Sequence, residues 1–578
     1  MENNYDCNIK KYFKLPIDFL EKKNVKSIDN ATKIDLELTE KNESNKDDNY
    51  SCFYDIVFNP TTNCSKEITK LWSDKYTTDK IFLKNSQKFL KTIDIKDQVT
   101  NTDEIFDRWK NFVNEDNFYE KYNYVDYEYC KFLNNNTYFM AFFTMMSIMA
   151  PIISLFSPFF VVIIPFFILK YYGVNVSINE YYNSIIMMIK NTFLYQLVYQ
   201  FNDIPLERKA YILGSIVLYI YQIYINVLTC IRHNENLTLI HDFICSLKKY
   251  LSETKTNINI ITKKISKYKK YIKFKKFLIE KEESIDNILH KIHIIQEYRW
   301  DLNELQCIGT LMSSFYTLRN DINIHETIMF TFGFNGYVEN IVNLKRYIDL
   351  KKINMAKIKT KQKLKIINMY YPIIKQDVVK NSINLSKNKI ITGPNASGKT
   401  TILKTTILNV ILTQQIGYGF YEDCKIQCFD NIHCYLNIPD TSGRDSLFQA
   451  EARRCKDILD IVNKEKNKNH FCIFDELYSG TNPYEAIASS YSFLKHLASN
   501  NNITFLLTTH FIDLCEKLDN NKKIENYHMK TNEVNNSLTY KYKLICGISK
   551  IKGGVEVLKK LNYPQDIINE TLDYLHKM

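Results

Sequence analysis

KIITGPNASGKTTILKTTILNVIL, Lys389 to Leu412, decides the fold. A short apolar run, Lys389–Thr392, reads as a strand. The glycine-bounded turn Gly393–Thr400 follows, and then a helical pattern. The turn fits G-x-x-x-x-G-K-[ST] in the context that gives the pattern meaning, strand before and helix after. Glycines at 393 and 398 let the backbone curl so that its N–H groups face a phosphate chain. The helix N-terminus adds partial positive charge there. The backbone and side chains of Gly393, Pro394, Asn395, Ala396, Ser397, Gly398, Lys399, Thr400 and Thr401 form the expected nucleotide cradle. Lys399 is placed to neutralise β- and γ-phosphates and the Thr400 hydroxyl to ligate Mg²⁺, so ATP and Mg²⁺ are the expected cofactors. The chain of 578 residues has only 14 Gly, which gives a glycine-bounded loop added weight.

Two strands downstream complete the pattern. HFCIFDE ends at Asp475 and Glu476, where Asp475 would support Mg²⁺ and Glu476 would act as general base on the attacking water. ITFLLTTH ends at His510, a candidate sensor of the γ-phosphate or lytic water and the second catalytic candidate. An α/β phosphate-loop NTPase domain is therefore expected over 366–578. The ABC signature LSGGQ is absent.

These residues resemble the ATPase domain of the MutS family of DNA mismatch-repair proteins. The resemblance rests on TGPNASGKTT from Thr392, on DELYSGTNPYEAIA with Gly480 and Thr481, on SLFQAE with Ser446, Phe448 and Glu451, and on the N-x-x-N-L run from Asn381 to Leu385. It implies that Asn381 helps to hold the nucleotide. It also implies that Ser446, Phe448 and Glu451 reach a partner's nucleotide across a homodimer, although Leu447 stands where the family has Thr. YKLICGISKIKGGVEVLKKLNYPQDIINETLDYL, from Tyr542, resembles the family's closing helical dimerisation region. The whole chain looks closest to MutS-like ATPases of large DNA viruses. FGFNGYVENI, Phe332 to Ile341, shares that likeness without a chemical role.

Upstream the texture changes. Tyr138–Leu169 carries no charged residue, and Pro151, Pro158 and Pro165 recur every seventh position. Such prolines damage a helix in water and are tolerated in membranes. The stretch predicts a membrane span, either one kinked helix or a re-entrant pair. Ala210–Ile231 is a second uncharged run, a span or a core helix. A single crossing would put the termini on opposite sides and a pair would put them on one side. The resulting organisation is a polar, partly helical region (1–137), an apolar region with one or two spans (138–231, spans 138–169 and 210–231), an α-helical core or lever (232–365) and the ATPase domain (366–578).

The net charge of +12 gathers in two lysine-rich stretches, Lys248–Lys276 and Lys345–Lys365. Lys263, Lys264, Lys267, Lys269 and Lys270, interleaved with Tyr268, Tyr271 and Phe274, are candidate contacts for DNA phosphates or anionic lipid heads. A solvated helix face is the plain alternative. Phe118-Tyr119-Glu120 echoes the family's mismatch wedge, but its surroundings read as an aromatic helix face. TEKNESNKDDNYS, from Thr39, reads as loop or disorder. The 14 Cys include no C-x-x-C, and Cys424, Cys428 and Cys434 beside His433 lack a second pair, so reduced thiols and no metal cluster are expected.

The sequence thus predicts a dimeric, DNA-binding MutS-like ATPase of mismatch-repair or damage-sensing type. The alternative is a membrane-anchored ATPase that uses the same motor for tethering or remodelling. The expected location is a membrane with the ATPase facing the cytosol or a viral factory, or else a soluble intracellular state.

Overall fold

Five parallel strands and one antiparallel edge strand form the sheet that carries the phosphate loop. Their order across the sheet is Ser537–Cys546, Ile524–Val534, Asn388–Thr392, Ile503–Thr509, His470–Asp475 and Asn431–Tyr435. The computed structural model describes residues 5–41, 51–95, 99, 101–173, 177–191, 195, 205–292, 305–360, 363–374, 376–436, 446–534, 537–551, 555, 558–559 and 561–577. The loop expected within Thr39–Ser51 falls mostly outside these residues, as does the glycine pair at 553–554.

Strands Asn388–Thr392 and Ile503–Thr509 are buried along their whole length, as parallel strands covered on both faces must be. Their register matters for chemistry. Thr392 pairs with Thr509, and Thr508 with Asp475, so three strands end at one edge of the sheet. The chain leaves Asn388–Thr392 and returns several strands away, which opens a crevice at that edge. A smaller five-stranded sheet, ordered Asn381–Asn384, Lys365–Met369, Asp423–Ile426, Asn354–Ile358 and Tyr418–Gly419, forms a second layer.

The chain divides into two compact units, but not along the linear scheme read from sequence. One unit joins Asn8–Asp103, Thr254–Glu282 and Met329–Met578; the other joins Met1–Cys7, Glu104–Glu253 and Glu283–Ile328. The expected separate region 1–137 is therefore split. Its aromatic faces need a partner, and the helix Lys399–Ile416, buried on nearly every side, supplies one. Tyr54 donates to Gln415 Oε1 (2.8 Å), and Gln87 Nε2 donates to the Gly417 carbonyl (2.8 Å).

FGFNGYVENI finds its role in the same packing. It lies wholly buried within the helix Ile322–Asp349. Glu339 accepts from both the backbone N–H and the hydroxyl of Thr61, and from the Thr62 hydroxyl. Asn340 accepts from the Ser65 hydroxyl (2.7 Å). A Cβ at Gly336 would lie 2.7 Å from the Cys64 carbonyl oxygen, so only glycine allows this approach.

The other unit is helical. Phe118 is fully buried among Phe112, Tyr124 and Phe315, with the Arg319 guanidinium 4.2 Å from its ring centre. It belongs to an aromatic core and presents no wedge. The apolar run is one continuous helix, Thr137–Tyr171, despite its prolines, and Ala210–Ile231 lies within the longer helix Leu206–Ile265. The closing segment departs from its helical expectation. Tyr542–Cys546 belongs to the antiparallel edge strand, and a helix follows at Gln565–Lys577.

A buried histidine pair sits on the two outer parallel strands. His470 Nε2 donates to the Glu465 carbonyl (3.1 Å), which leaves His470 Nδ1 to accept from His433 Nε2 (3.2 Å). Burial, and then the neighbouring His470, hold the His433 imidazole down at about 3. The unfolded chain protonates this residue near 6.5, whereas the fold refuses the proton until about 3. The contribution is complete above 6.5 and is lost as pH falls below it, at about 1.4 kcal/mol per pH unit at most. Thermal melts between pH 7 and 5 are expected to show a declining Tm, and His433→Phe should flatten the decline. An unchanged slope in that variant would refute the assignment.

Candidate nucleotide site

The crevice at the sheet edge opens into a cavity of about 540 Å³ that touches Asn395, Gly398, Lys399, Thr400, Thr401 and Glu476. The phosphate loop enters from the strand Asn388–Thr392 and leaves into the helix Lys399–Ile416. Gly398 caps that helix at φ +93°, a left-handed conformation that costs a side chain strain, and a Cβ there would meet the Tyr542 ring at 3.2 Å. Ala396 also has positive φ (60°). The backbone is thereby curled before any ligand arrives.

The side chains predicted from the three strand ends do converge. Lys399 Nζ donates to the carbonyls of Gly393 (3.0 Å) and Pro394 (3.2 Å) and lies 3.9 Å from Glu476 Oε1. Burial pulls its pKa down, and the carboxylates of Glu476 and Asp475 oppose that pull. Thr400 Oγ1 donates to Asp475 Oδ2 (2.7 Å), and the Thr508 hydroxyl donates to Asp475 Oδ1. Burial raises the Asp475 pKa against these two hydroxyl bonds. His510 Nε2 lies 2.8 Å from Glu476 Oε1 and 3.0 Å from Lys399 Nζ. A proton on Nε2 serves the carboxylate, and its absence lets the nitrogen accept from the ammonium. The His510 hydrogen bond holds the Glu476 carboxyl below its ordinary range, so Glu476 stands ionised. Glu476 and Tyr478 both adopt positive φ (52° and 57°), backbone strain of the kind that clusters at functional loops.

This donor set fits a nucleoside triphosphate with Mg²⁺. A hydroxyl and a carboxylate 2.7 Å apart are hard oxygen ligands, and an ammonium with a curled backbone suits phosphate oxygens. Thr400 and Asp475 are the residues that would hold Mg²⁺, which would supply neutralisation of phosphate charge. Glu476 stands at the cavity wall, with His510 Nε2 fixing one side of its carboxylate.

Other predicted residues make contacts within their own chain. Asn381 touches the cavity, but both ends of its amide are tied to the edge strand: Nδ2 donates to the Tyr542 carbonyl and Oδ1 accepts from Leu544 N–H, each at 2.8 Å. Ser446 caps the helix Leu447–Lys464 by accepting from Gln449 N–H (3.3 Å). Phe448 packs on Tyr478. Glu451 does not point outward to a partner. It is buried, and it accepts from Ser479 N–H (3.1 Å), the Ser479 hydroxyl (2.9 Å) and Gly480 N–H (3.1 Å) of its own chain. It thereby fixes the loop after Asp475-Glu476, a positioning role that sequence reading missed because the partners lie a helix away.

The lysine cluster also divides. Lys270 forms an ion pair with Asp79 (2.7 Å), whose carboxylate also caps the helix Lys80–Thr92. Tyr271 and Phe274 are buried, so they offer no stacking surface to bases. Lys263, Lys267 and Lys269 are exposed and Lys264 is half-buried. Among the described residues no group of three or more His, Cys, Asp or Glu could hold a metal ion.

Comparison with known proteins finds likeness over part of the chain. Residues 389–578 match the family model described as MutS domain V. The DNA mismatch repair protein MutS of Phocaeicola vulgatus is 28% identical over 247 residues, 42% of this chain and 27% of that protein. Endonuclease MutS2 of Staphylococcus haemolyticus is 30% identical over 208 residues, 35% of this chain and 26% of that protein. The MutS of Clostridium botulinum is 24% identical over 311 residues, 53% of this chain and 29% of that protein. The chain thus spans just over a quarter of the length of the curated relatives it matches.

Proposed function

We propose that this chain is a Mg²⁺-dependent ATP hydrolase of MutS type that works as a dimer and couples its nucleotide state to DNA binding in a repair-related role. One observation carries the reading: Lys399, Thr400 and Glu476 line one cavity on the phosphate loop, with Asp475 bonded to Thr400 and His510 to Glu476 and Lys399. The likeness of 389–578 to MutS domain V supports the dimer and the DNA partner. ATP turnover measured with no DNA, homoduplex, mismatched and branched DNA tests the whole proposal. Stimulation by at least one DNA is expected, and turnover indifferent to all of them would remove DNA from it. The membrane-anchored alternative gains nothing from the relatives.

The lysines left free by the fold make a narrower prediction. Changing Lys263, Lys264, Lys267 and Lys269 together to Gln should flatten the salt dependence of DNA affinity, by ~0.9 in log–log slope for each phosphate no longer neutralised. An identical slope in the variant would place DNA elsewhere. Lys270 is left out because its partner is Asp79.

A further inference from the structure

We infer that the helix Thr137–Tyr171 and the first half of the helix Leu206–Ile265 form an antiparallel hairpin that crosses a lipid bilayer twice, leaving the motor on the side from which the hairpin enters. Three observations carry this.

The first is exposure. Only 11% of the most apolar window in Thr137–Ser157, and 6% of that in Lys209–Ile265, is buried. A core helix of a water-soluble protein is mostly buried; here Phe159, Phe167, Val217 and Leu218 stand more than half exposed. Length fits as well. The uncharged stretch 210–231 spans ~33 Å as a helix, against a hydrocarbon core of ~30 Å. Charges resume together at the two ends: Lys170 with Glu207 and Lys209 at the loop end, and Arg232 at the base. Exposed Tyr171, Tyr172 and Tyr211 mark one end and Tyr138 the other, as interfacial aromatics do.

The second is how the backbone survives without water. Pro158 has no N–H, so the Ser154 carbonyl loses its helical donor. Tyr219 from the facing helix donates to that carbonyl (3.2 Å) and to Leu155 O (2.9 Å), and the Ser157 hydroxyl donates to it as well (2.9 Å). Cys230 Sγ donates to Ile148 O (3.5 Å). The pairings 219 with 154 and 230 with 148 run in opposite senses, which makes the helices antiparallel. Within the band Ser215 donates to Tyr211 O and Thr229 to Ile225 O, and Gln222 Nε2 donates to Asn226 Oδ1 (3.2 Å). Internal partners of this kind are what hydrocarbon demands.

The third is parity. Residues 8–103 share one compact unit with 254–282 and 329–578. Asp79 pairs with Lys270, and Glu339 holds Thr61 and Thr62. The chain must therefore return to the side it left, so the number of crossings between Asp103 and Thr254 is even. A single span is excluded. The short helix Ile178–Asn191, capped by the Ser177–Glu180 hydrogen bonds, lies on the far face.

The test uses the full chain, translated in a cell-free system with sealed vesicles of phosphatidylcholine and phosphatidylserine. It should float with the vesicles after alkaline carbonate. Trypsin added outside should cut the motor but spare Lys170 and Lys190 until detergent opens the vesicles. The double variant Phe159→Asp, Leu218→Asp should lose at least tenfold of the carbonate-resistant fraction while binding ATP as before. Release by carbonate, cleavage at Lys170 in sealed vesicles, or a monodisperse detergent-free protein, alone or as an oligomer covering these faces, would each overturn the inference. ATP binding is read separately, so failure here leaves the motor assignment standing.

Discussion

Replacing Glu476 by Gln is expected to slow ATP hydrolysis by ~10²–10⁴-fold, the range a positioned general base contributes. Gln keeps the shape and an acceptor oxygen for His510, but it cannot take a proton from water. Lys399, Thr400 and Asp475 remain, so ATP affinity should change by no more than about threefold. Single-turnover hydrolysis together with equilibrium nucleotide binding separates the two effects. A variant that binds and hydrolyses normally would show that Glu476 is not the base. His510→Ala offers a second view, because the side chain sits 2.8 Å from the Glu476 carboxylate. Its loss should reduce turnover less than the loss of Glu476, since it orients the base and is not itself the base.

The second large effect is on stability. Glu451→Ala removes an acceptor shared by Ser479 N–H, the Ser479 hydroxyl and Gly480 N–H. Ser479 is exposed and Gly480 half-buried, so water can reach the freed donors. The loss is that of the three hydrogen bonds to a carboxylate, about 1.5–3 kcal/mol each at most, offset in part because a buried charge also disappears. A net loss of about 3 kcal/mol is expected, read as a shift of the urea midpoint. Glu451→Gln should fall between, since its amide oxygen satisfies one side while its NH₂ faces a donor. The measurement belongs at a concentration low enough to keep the chain monomeric. If Glu451 acted across a dimer, the monomer's midpoint would not move.

The phosphate loop and the acidic strand end were legible because their patterns are written in contiguous residues. Gly398, Lys399 and Thr400 must be neighbours for a loop to curl onto a helix end, and Asp475-Glu476 must close a strand. What was not legible depends on partners far away in the chain. Nothing near Lys270 announces Asp79, and nothing near Glu451 announces Ser479. The aromatic helix face around Phe118 could be read from the sequence, but not that Phe315 would cover it. Phe332–Ile341 did carry a signal: Asn335, Glu339 and Asn340 sit in a helix buried on all sides, and buried polar groups need partners. The absence of charge marked two runs for a membrane reading, but the facing of their two helices required tertiary contacts.

The interleaving of Asn8–Asp103 with Met329–Met578 means that the recognisable motor is not a portable piece. A chain cut to begin at Lys389 would keep every residue of the phosphate loop. It would also strip Tyr54, Thr77 and Gln87 from the helix behind that loop, baring Gln414, Gln415 and Gly417 to water. Homology defines one boundary and folding another. Any change that removed or exchanged residues 8–103 would have to rebuild the packing behind the phosphate loop, so two stretches far apart in the chain are one object for folding.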